Sequence, residues 1–156
     1  MRAKLARLQL KDYRYYKIRV DSNEEFFEAE NIPEDLQFIP DIDIRGYNEE
    51  NGEFVVFLDL LINDDNVENF QISPYWIEVE ISGYFTLPEL DEHEDSEAIE
   101  LKYLNAPAIL YGLCREKINE LTSGYVFGPI ILPSINLVET FKSSASGNQN
   151  GAQSTE

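Results

Sequence analysis

Four stretches within the first 87 residues alternate apolar and polar positions with the two-residue period of a strand. The sharpest runs from Tyr75 to Leu87. Tyr75, Ile77, Val79, Ile81, Phe85 and Leu87 fall on one face; Trp76, Glu78, Glu80, Ser82, Tyr84 and Thr86 fall on the other, and Pro88 closes the run. Leu5 to Val20 predicts a longer strand. Leu8, Leu10, Tyr16, Ile18 and Val20 share one side; Arg7, Gln9, Lys11, Tyr13, Tyr15, Lys17 and Arg19 share the other. Asp12 and Arg14 interrupt the apolar side, which predicts a bulge or bend there. Phe38 to Tyr47 turns Ile42 and Ile44 inward and Asp41, Asp43 and Arg45 outward. Glu53 to Asn63 places Phe54, Val56, Leu58, Leu60 and Ile62 on one face. Its other face carries Val55, Phe57 and Leu61, so that side is expected to be partly covered too, as a sheet-mediated subunit contact would cover it. Asn48-Glu49-Glu50-Asn51-Gly52 between these strands reads as a hairpin turn, because Asn-Gly favours positive φ.

The period changes after Asn105. Ala106, Leu110, Leu113, Cys114, Ile118 and Leu121 recur at helical spacing, with Glu116, Lys117, Asn119 and Glu120 as a polar flank. Asn105 is expected as the N-cap, Ala106 and Pro107 in the first turn, and Gly124 as the C′ residue. Gly112 in mid-helix costs roughly 1 kcal/mol relative to alanine, which implies a close backbone neighbour or a break. The following run, Tyr125 to Pro133, is too apolar to stay uncovered; the core, a second subunit or a ligand must shield it. Residues 134–141 predict a short helix with Ser134 as its cap. Residues 143–156 are a polar, low-complexity tail expected to be disordered. The element order is four strands, then a long and a short helix. It predicts an α+β fold, a four-stranded antiparallel sheet with helices added on one side, in a single domain over residues 1–142.

Charge adds to this picture. The 156 residues carry a net charge of -18, which argues against nucleic acid and anionic membrane as main partners. Seven of the twelve basic residues lie in the first nineteen positions, opposed there only by Asp12. A basic first strand would attract the acidic body, within the molecule or between subunits; otherwise it is a solvated edge. No apolar stretch reaches the roughly 20 residues of a membrane span, and no secretory leader is recognisable, so the expected location is the cytoplasm.

Candidate chemistry is sparse. The lone Cys114 reads as a small core residue and forms no internal disulfide. The lone His93 sits in an acidic loop with no further nitrogen or sulfur ligands, so no metal site and no cofactor are expected. There is no phosphate-cradling glycine loop and no nucleophile paired with a base, so no catalytic residues are assigned and the chain is not expected to be an enzyme. The segment 21–37 carries Phe26, Phe27 and Ile32 among acids. By composition these residues are exposed unless something covers them, and anchoring of the segment to the core would do so.

Ala108-Ile109-Leu110-Tyr111-Gly112-Leu113-Cys114-Arg115-Glu116 resembles the SecB chaperone pattern of Ile-Leu-aromatic-Pro-Tyr followed by Ala-Arg-Glu. Ser123-Gly124, Phe127, Leu132 and Ser134-Ile135-Asn136-Leu137 are similar to that family's Arg-Gly, Phe-Pro, Leu-x-Leu and Pro-Val-Asn-Phe run. Arg115-Glu116 and Asn136 are the most specific matches. Gly112 stands where the family often has proline, Leu137 replaces phenylalanine, and the proline before Ile-Asn is displaced to Pro133. The resemblance implies an ATP-independent holdase that binds unfolded polypeptides or preproteins along apolar grooves. It implies client contacts at Phe26, Phe27, Phe38, Ile130, Ile131, Leu132, Ile135, Leu137 and Phe141. It implies a homotetramer, a dimer of dimers, with Tyr13, Tyr15, Leu110, Leu113 and Ile118 at interfaces. Glu78 and Glu80 lie on a strand face comparable to the one that docks the SecA motor. Because the first strand here is basic and the tail lacks a docking motif, service to one partner such as an antitoxin is the alternative, as is a non-chaperone interaction module.

Overall fold

The computed structural model describes residues 4–24, 26, 38–62, 74–88 and 96–139. Four strands form one antiparallel sheet: β1 (Gln9–Ser22), β2 (Phe38–Asn48), β3 (Glu53–Ile62) and β4 (Tyr75–Thr86). Their spatial order is β1-β4-β3-β2. β2 and β3 make a hairpin, β4 pairs with β3, and β1 returns to the free side of β4. The first and second strands are therefore opposite edges of the sheet. The α+β architecture follows the expected order.

The inner face is set by the period-two patterns of β3 and β4. Phe54, Val56, Leu58, Leu60, Ile62, Tyr75, Ile77, Val79, Ile81, Phe85 and Leu87 are all buried. β1 departs from its expected faces. Its register slips twice, between Leu10 and Asp12 and between Tyr15 and Lys17, on either side of the single irregularity expected at Asp12 and Arg14. The first slip sets Tyr13 opposite Gly83 and Tyr15 opposite Ile81, which moves both tyrosines to the inner side. The second restores the phase, with Ile18 opposite Val79 and Val20 opposite Ile77. Tyr16 is left on the outer side, where the Ser82 hydroxyl reaches its hydroxyl at 3.5 Å and its ring lies 6.3 Å from Phe57. Each bulge inverts the alternation downstream of it, so the two together exchange only the residues between them.

Helix α2 (Ala106–Thr122) lies on the inner face. Ala106, Leu110, Cys114 and Ile118 are wholly buried against the sheet. Each large aliphatic side chain hidden there contributes about 1.5–3 kcal/mol. Gly83 permits the close approach: a Cβ there would stand 2.6 Å from Leu110 Cδ2 and 2.7 Å from Phe85 Cε2.

Asn105 is not an N-cap. It is already helical, at φ -75° and ψ -39°, and its side chain makes no cap hydrogen bond. The helical run begins at α1 (Ser96–Glu100) and reaches α2 through a π turn, Leu101–Asn105, in which the Ala106 amide bonds to Leu101 O. The wider turn lets Pro107, which has no amide hydrogen, follow without breaking the run. Lys102 in this turn is buried, its ammonium 4.6 Å from the Tyr47 ring centroid and 5.1 Å from that of Tyr103. It ties the helix to the end of β2. Gly112 neither breaks α2 nor meets a backbone: a Cβ there has nothing within 4 Å, and the residue is exposed. At the far end Gly124 does not take positive φ; Gly128 does, at 78°. The tight turn there spans Tyr125 to Gly128, whose amide bonds to Tyr125 O at 3.0 Å. Residues 137–139 are helical at the end of the described chain.

Candidate functional site

The apolar segment after α2 is held along the helix by the helix's own polar residues. Tyr111, Arg115, Asn119 and Thr122 are spaced four, four and three apart, which places them on one side of α2. Tyr111 donates its hydroxyl proton to Pro133 O at 2.6 Å, and Arg115 Nε donates to Leu132 O at 3.0 Å. Asn119 Nδ2 donates to Ile130 O at 3.2 Å, and the Ile130 amide donates to Thr122 Oγ1 at 2.9 Å. Thr122 completes its own bonding by donating to Ile118 O. The segment thus runs antiparallel to the helix, clamped at main-chain groups.

The upstream end is tied down by Tyr75, which is fully buried. Its hydroxyl donates to Gly128 O at 2.8 Å and accepts the Phe127 amide at 3.0 Å. Burial raises its pKa, and the Phe127 amide opposes that rise. Around it Tyr125 and Phe127 make edge contacts, and Phe26 stacks edge-on against Phe127 at 4.9 Å. Phe26 therefore joins the residues just after β1 to the loop.

What this scaffold presents is apolar. Ile131 is 74% exposed and Val126 63%, while Leu132 between the clamped carbonyls is wholly buried. Folding Ile131 inward would gain about 2 kcal/mol. Four clamping hydrogen bonds at about 1 kcal/mol each outweigh that gain, so the segment stays open. Ile130 and Ile135 are half-buried on the core.

The opposite face of the sheet is polar. Asp41 pairs with Asp59, Asp59 with Glu80, and Glu80 with Lys17, so one cross-strand row holds three carboxylates in succession. A shallow depression of about 290 Å³ lies beside this row, walled by Tyr16, Phe57, Arg45 and the carboxylates of Asp41, Asp43, Asp59 and Glu80. Phe57 is partly covered from within the protomer by Tyr16 and by the Arg45 guanidinium, 4.9 Å from its ring centroid. Desolvation first, then Glu80, Asp41 and Glu78, raise the Asp59 pKa; Arg45 partly opposes them. A carboxyl whose folded pKa is raised opposes folding when ionised. That penalty is present above the folded pKa and disappears as pH falls below the unfolded value. Asp59→Asn is therefore expected to stabilise the protein at pH 7 by about 0.5 kcal/mol, the size of one like-charge cross-strand pair. Urea melts at pH 7 and pH 3 check this: the gain should vanish at pH 3.

The structure distributes the other expected site residues unevenly. Leu110 and Ile118 are wholly buried in the protomer core and Leu113 is half-buried, whereas Tyr13 is 45% exposed. Tyr15 is half-buried and donates its hydroxyl to Leu113 O. Leu132 and Leu137 are buried. Phe38 pairs with Ile62 in register. Phe27, Ile32, His93 and Phe141, like the tail, lie outside the described residues. Glu78 and Glu80 share Lys17, whose ammonium is 2.6 Å and 4.0 Å from their carboxylates. Pattern reading assigned no role to Tyr75, Tyr111 or Thr122. The available signal was a set of polar residues at helical spacing beside an apolar segment bracketed by glycine and proline.

Among the described residues no group of three or more His, Cys, Asp or Glu is placed to hold a metal ion. Burial pushes the Cys114 thiol up to about 12, which removes it as a nucleophile at neutral pH. Among the described residues no helix is long and apolar enough to cross a membrane.

No family model matches the sequence. The protein-export protein SecB of Anaplasma phagocytophilum is 28% identical over 92 residues, which are 59% of this chain. The chain spans 58% of that relative's length. The SecB-like chaperone Rv1957 of Mycobacterium tuberculosis, solved in complex with a ChAD peptide from the antitoxin HigA1, superposes with a TM-score of 0.52 at 21% identity, covering 83% of this chain and 88% of that one. The chain is similar to SecB in sequence and to a SecB-like chaperone in fold. A Streptococcus agalactiae protein of unknown function is also similar, with a TM-score of 0.49, 17% identity and coverage of 81% and 97% of the two chains. The fold places the clamped segment and the acidic row on opposite faces of one sheet.

Proposed function

We propose that this SecB-like chain is an ATP-independent holdase that binds unfolded polypeptide on the apolar lip formed by Val126, Phe127, Ile130 and Ile131 together with Phe26. The exposed, clamped Ile131 segment carries this reading. A chain that must accept many sequences needs apolar contact without a fixed polar code, and a strongly acidic body keeps such a surface in solution. Leu132, Ile135 and Leu137 support the lip from beneath or at its flank; Phe27, Phe38 and Phe141 are further proposed client contacts. No chemical step is part of this function. The working form is a cytoplasmic homotetramer whose contacts use the outward side of α2 with Tyr13, Tyr15 and Leu113; Leu110 and Ile118 shape that surface from the core.

Two unrelated denatured proteins diluted into the purified protein without ATP should stay in solution. Phe26→Ala with Ile131→Ala should raise the chaperone excess needed for protection severalfold. Aggregation of both substrates at a large excess of the unaltered protein would rule the general holdase out.

A second reading is service to one dedicated partner, such as an antitoxin, in place of delivery of preproteins to SecA. It is favoured by the state of the outer face. Lys17 already compensates Glu78 and Glu80, which leaves that pair less charge to offer a basic docking motor. In this case protection should extend to a single cellular protein and to neither of the two test substrates.

A further inference from the structure

We propose that Tyr111, Arg115, Asn119 and Thr122 are positioning residues for polypeptide binding: they fix the main chain of residues 130–133 so that Ile131 is held outward before any client arrives. This rests on the holdase reading and adds the device that makes the lip a binding surface. An apolar segment tethered only at its ends would fold its side chains onto the core and leave nothing for a client. Here four side chains of α2 reach main-chain groups of the segment, so the clamp does not depend on which side chains the segment carries. Both the amide and the carbonyl of Ile130, and the carbonyl of Leu132, face α2. From 130 to 132 that is the pattern of an extended chain, in which residue 131 points its side chain away from residues 130 and 132; it ends at Pro133, whose carbonyl also meets α2 through Tyr111. Burial agrees, with Ile131 exposed and Leu132 hidden. A surface organised in advance binds without the ordering cost of a loose loop.

The clamp is separable from the fold. Leu110, Cys114 and Ile118 pack α2 on the sheet, whereas Arg115 and Asn119 on the adjoining side of the helix are only half-buried. The test uses the full chain with Thr122→Val, which keeps the buried volume and removes the hydroxyl, combined with Arg115→Met. Thr122→Ser is the conservative rescue, and Asn119→Ala, at a half-buried position, is the second variant should the first fold poorly. Three quantities are read: exchange of the Ile130 amide, affinity for a fluorescently labelled denatured protein, and the thermal midpoint. Freeing two clamping bonds should speed Ile130 exchange at least ~10-fold and weaken client binding by roughly 10-fold, with Thr122→Ser close to the unaltered protein. The melting midpoint should move by only a few degrees. Faster Ile130 exchange with unchanged affinity overturns the proposal, and so does unchanged exchange in every variant. If the unaltered protein binds no denatured substrate, the holdase reading falls and takes the positioning role with it. The exchange data then still show whether the clamp holds the segment.

Discussion

Gly52→Ala is expected to lower stability by roughly 3 kcal/mol or more, a large share of the 5–15 kcal/mol typical of a domain. Two independent causes act at this position. The residue sits at φ +68°, where a side chain is strained, and a Cβ would stand 2.3 Å from the carbonyl oxygen of Leu87. That neighbour is backbone and cannot rotate away. Gly52 also holds the hairpin to the end of β4, since its amide bonds to Asn48 O and its carbonyl accepts the Leu87 amide, both at 2.8 Å. Moving either chain to admit a methyl group breaks one of these bonds. Gly46→Ala is the control. It has nearly the same φ, +67°, but open space around it, and should cost only about 1 kcal/mol. Urea titration separates the two causes through the midpoint at constant slope. Equal losses at the two glycines would show that φ strain alone matters and that the contact with Leu87 is easily relieved.

Leu110→Ala should cost about 2–5 kcal/mol, and the loss should not depend on protein concentration. Leu110 is wholly buried and lies over Gly83 at the centre of the helix–sheet contact. Truncation leaves a cavity between two rigid elements that cannot collapse into it. The neighbouring Ile109 is 38% exposed on the outward side of α2. Ile109→Ala should change protomer stability by only about 0.5 kcal/mol, yet reduce the mass in solution if that side joins copies of the chain. Denaturant melts over a hundredfold range of concentration, read beside light scattering, distinguish the two. A concentration-dependent loss for Leu110→Ala would mean that its main contribution is to assembly.

The strands were legible because the demand on them is local. A half-buried strand needs apolar residues every second position, and β3 and β4 meet that demand without interruption. β1 was expected over Leu5 to Val20 and runs from Gln9 to Ser22, and Tyr13, Tyr15 and Tyr16 were placed on the wrong sides. Its two bulges are set by pairing with β4, and tyrosine suits either an inner or an outer position, so composition gave no warning. The helix face was equally plain, yet its beginning was misplaced. Asn105 and Pro107 carry the usual signs of a helix start, and a π turn overrode them. Gly124 has the sequence position of a C-terminal cap, while the left-handed conformation falls four residues later at Gly128, where the turn over Tyr75 requires it.

The candidate site divides along the same line. Hydrophobic periodicity determined the α+β class, the inner faces of β3 and β4, the buried face of α2, and the fact that residues 125–133 are too apolar to lie free. Arg115 was singled out by the resemblance to SecB alone, without a role for it. Which groups hold that segment, and which of its side chains they leave exposed, was decided only by tertiary structure. Tyr75 meets Gly128 across 53 positions of sequence, and Tyr15 meets Leu113 across 98. Periodicity reports how one element meets a surface. It is blind to hydrogen bonds between elements, because these depend on where two separately specified pieces of chain come to rest against each other.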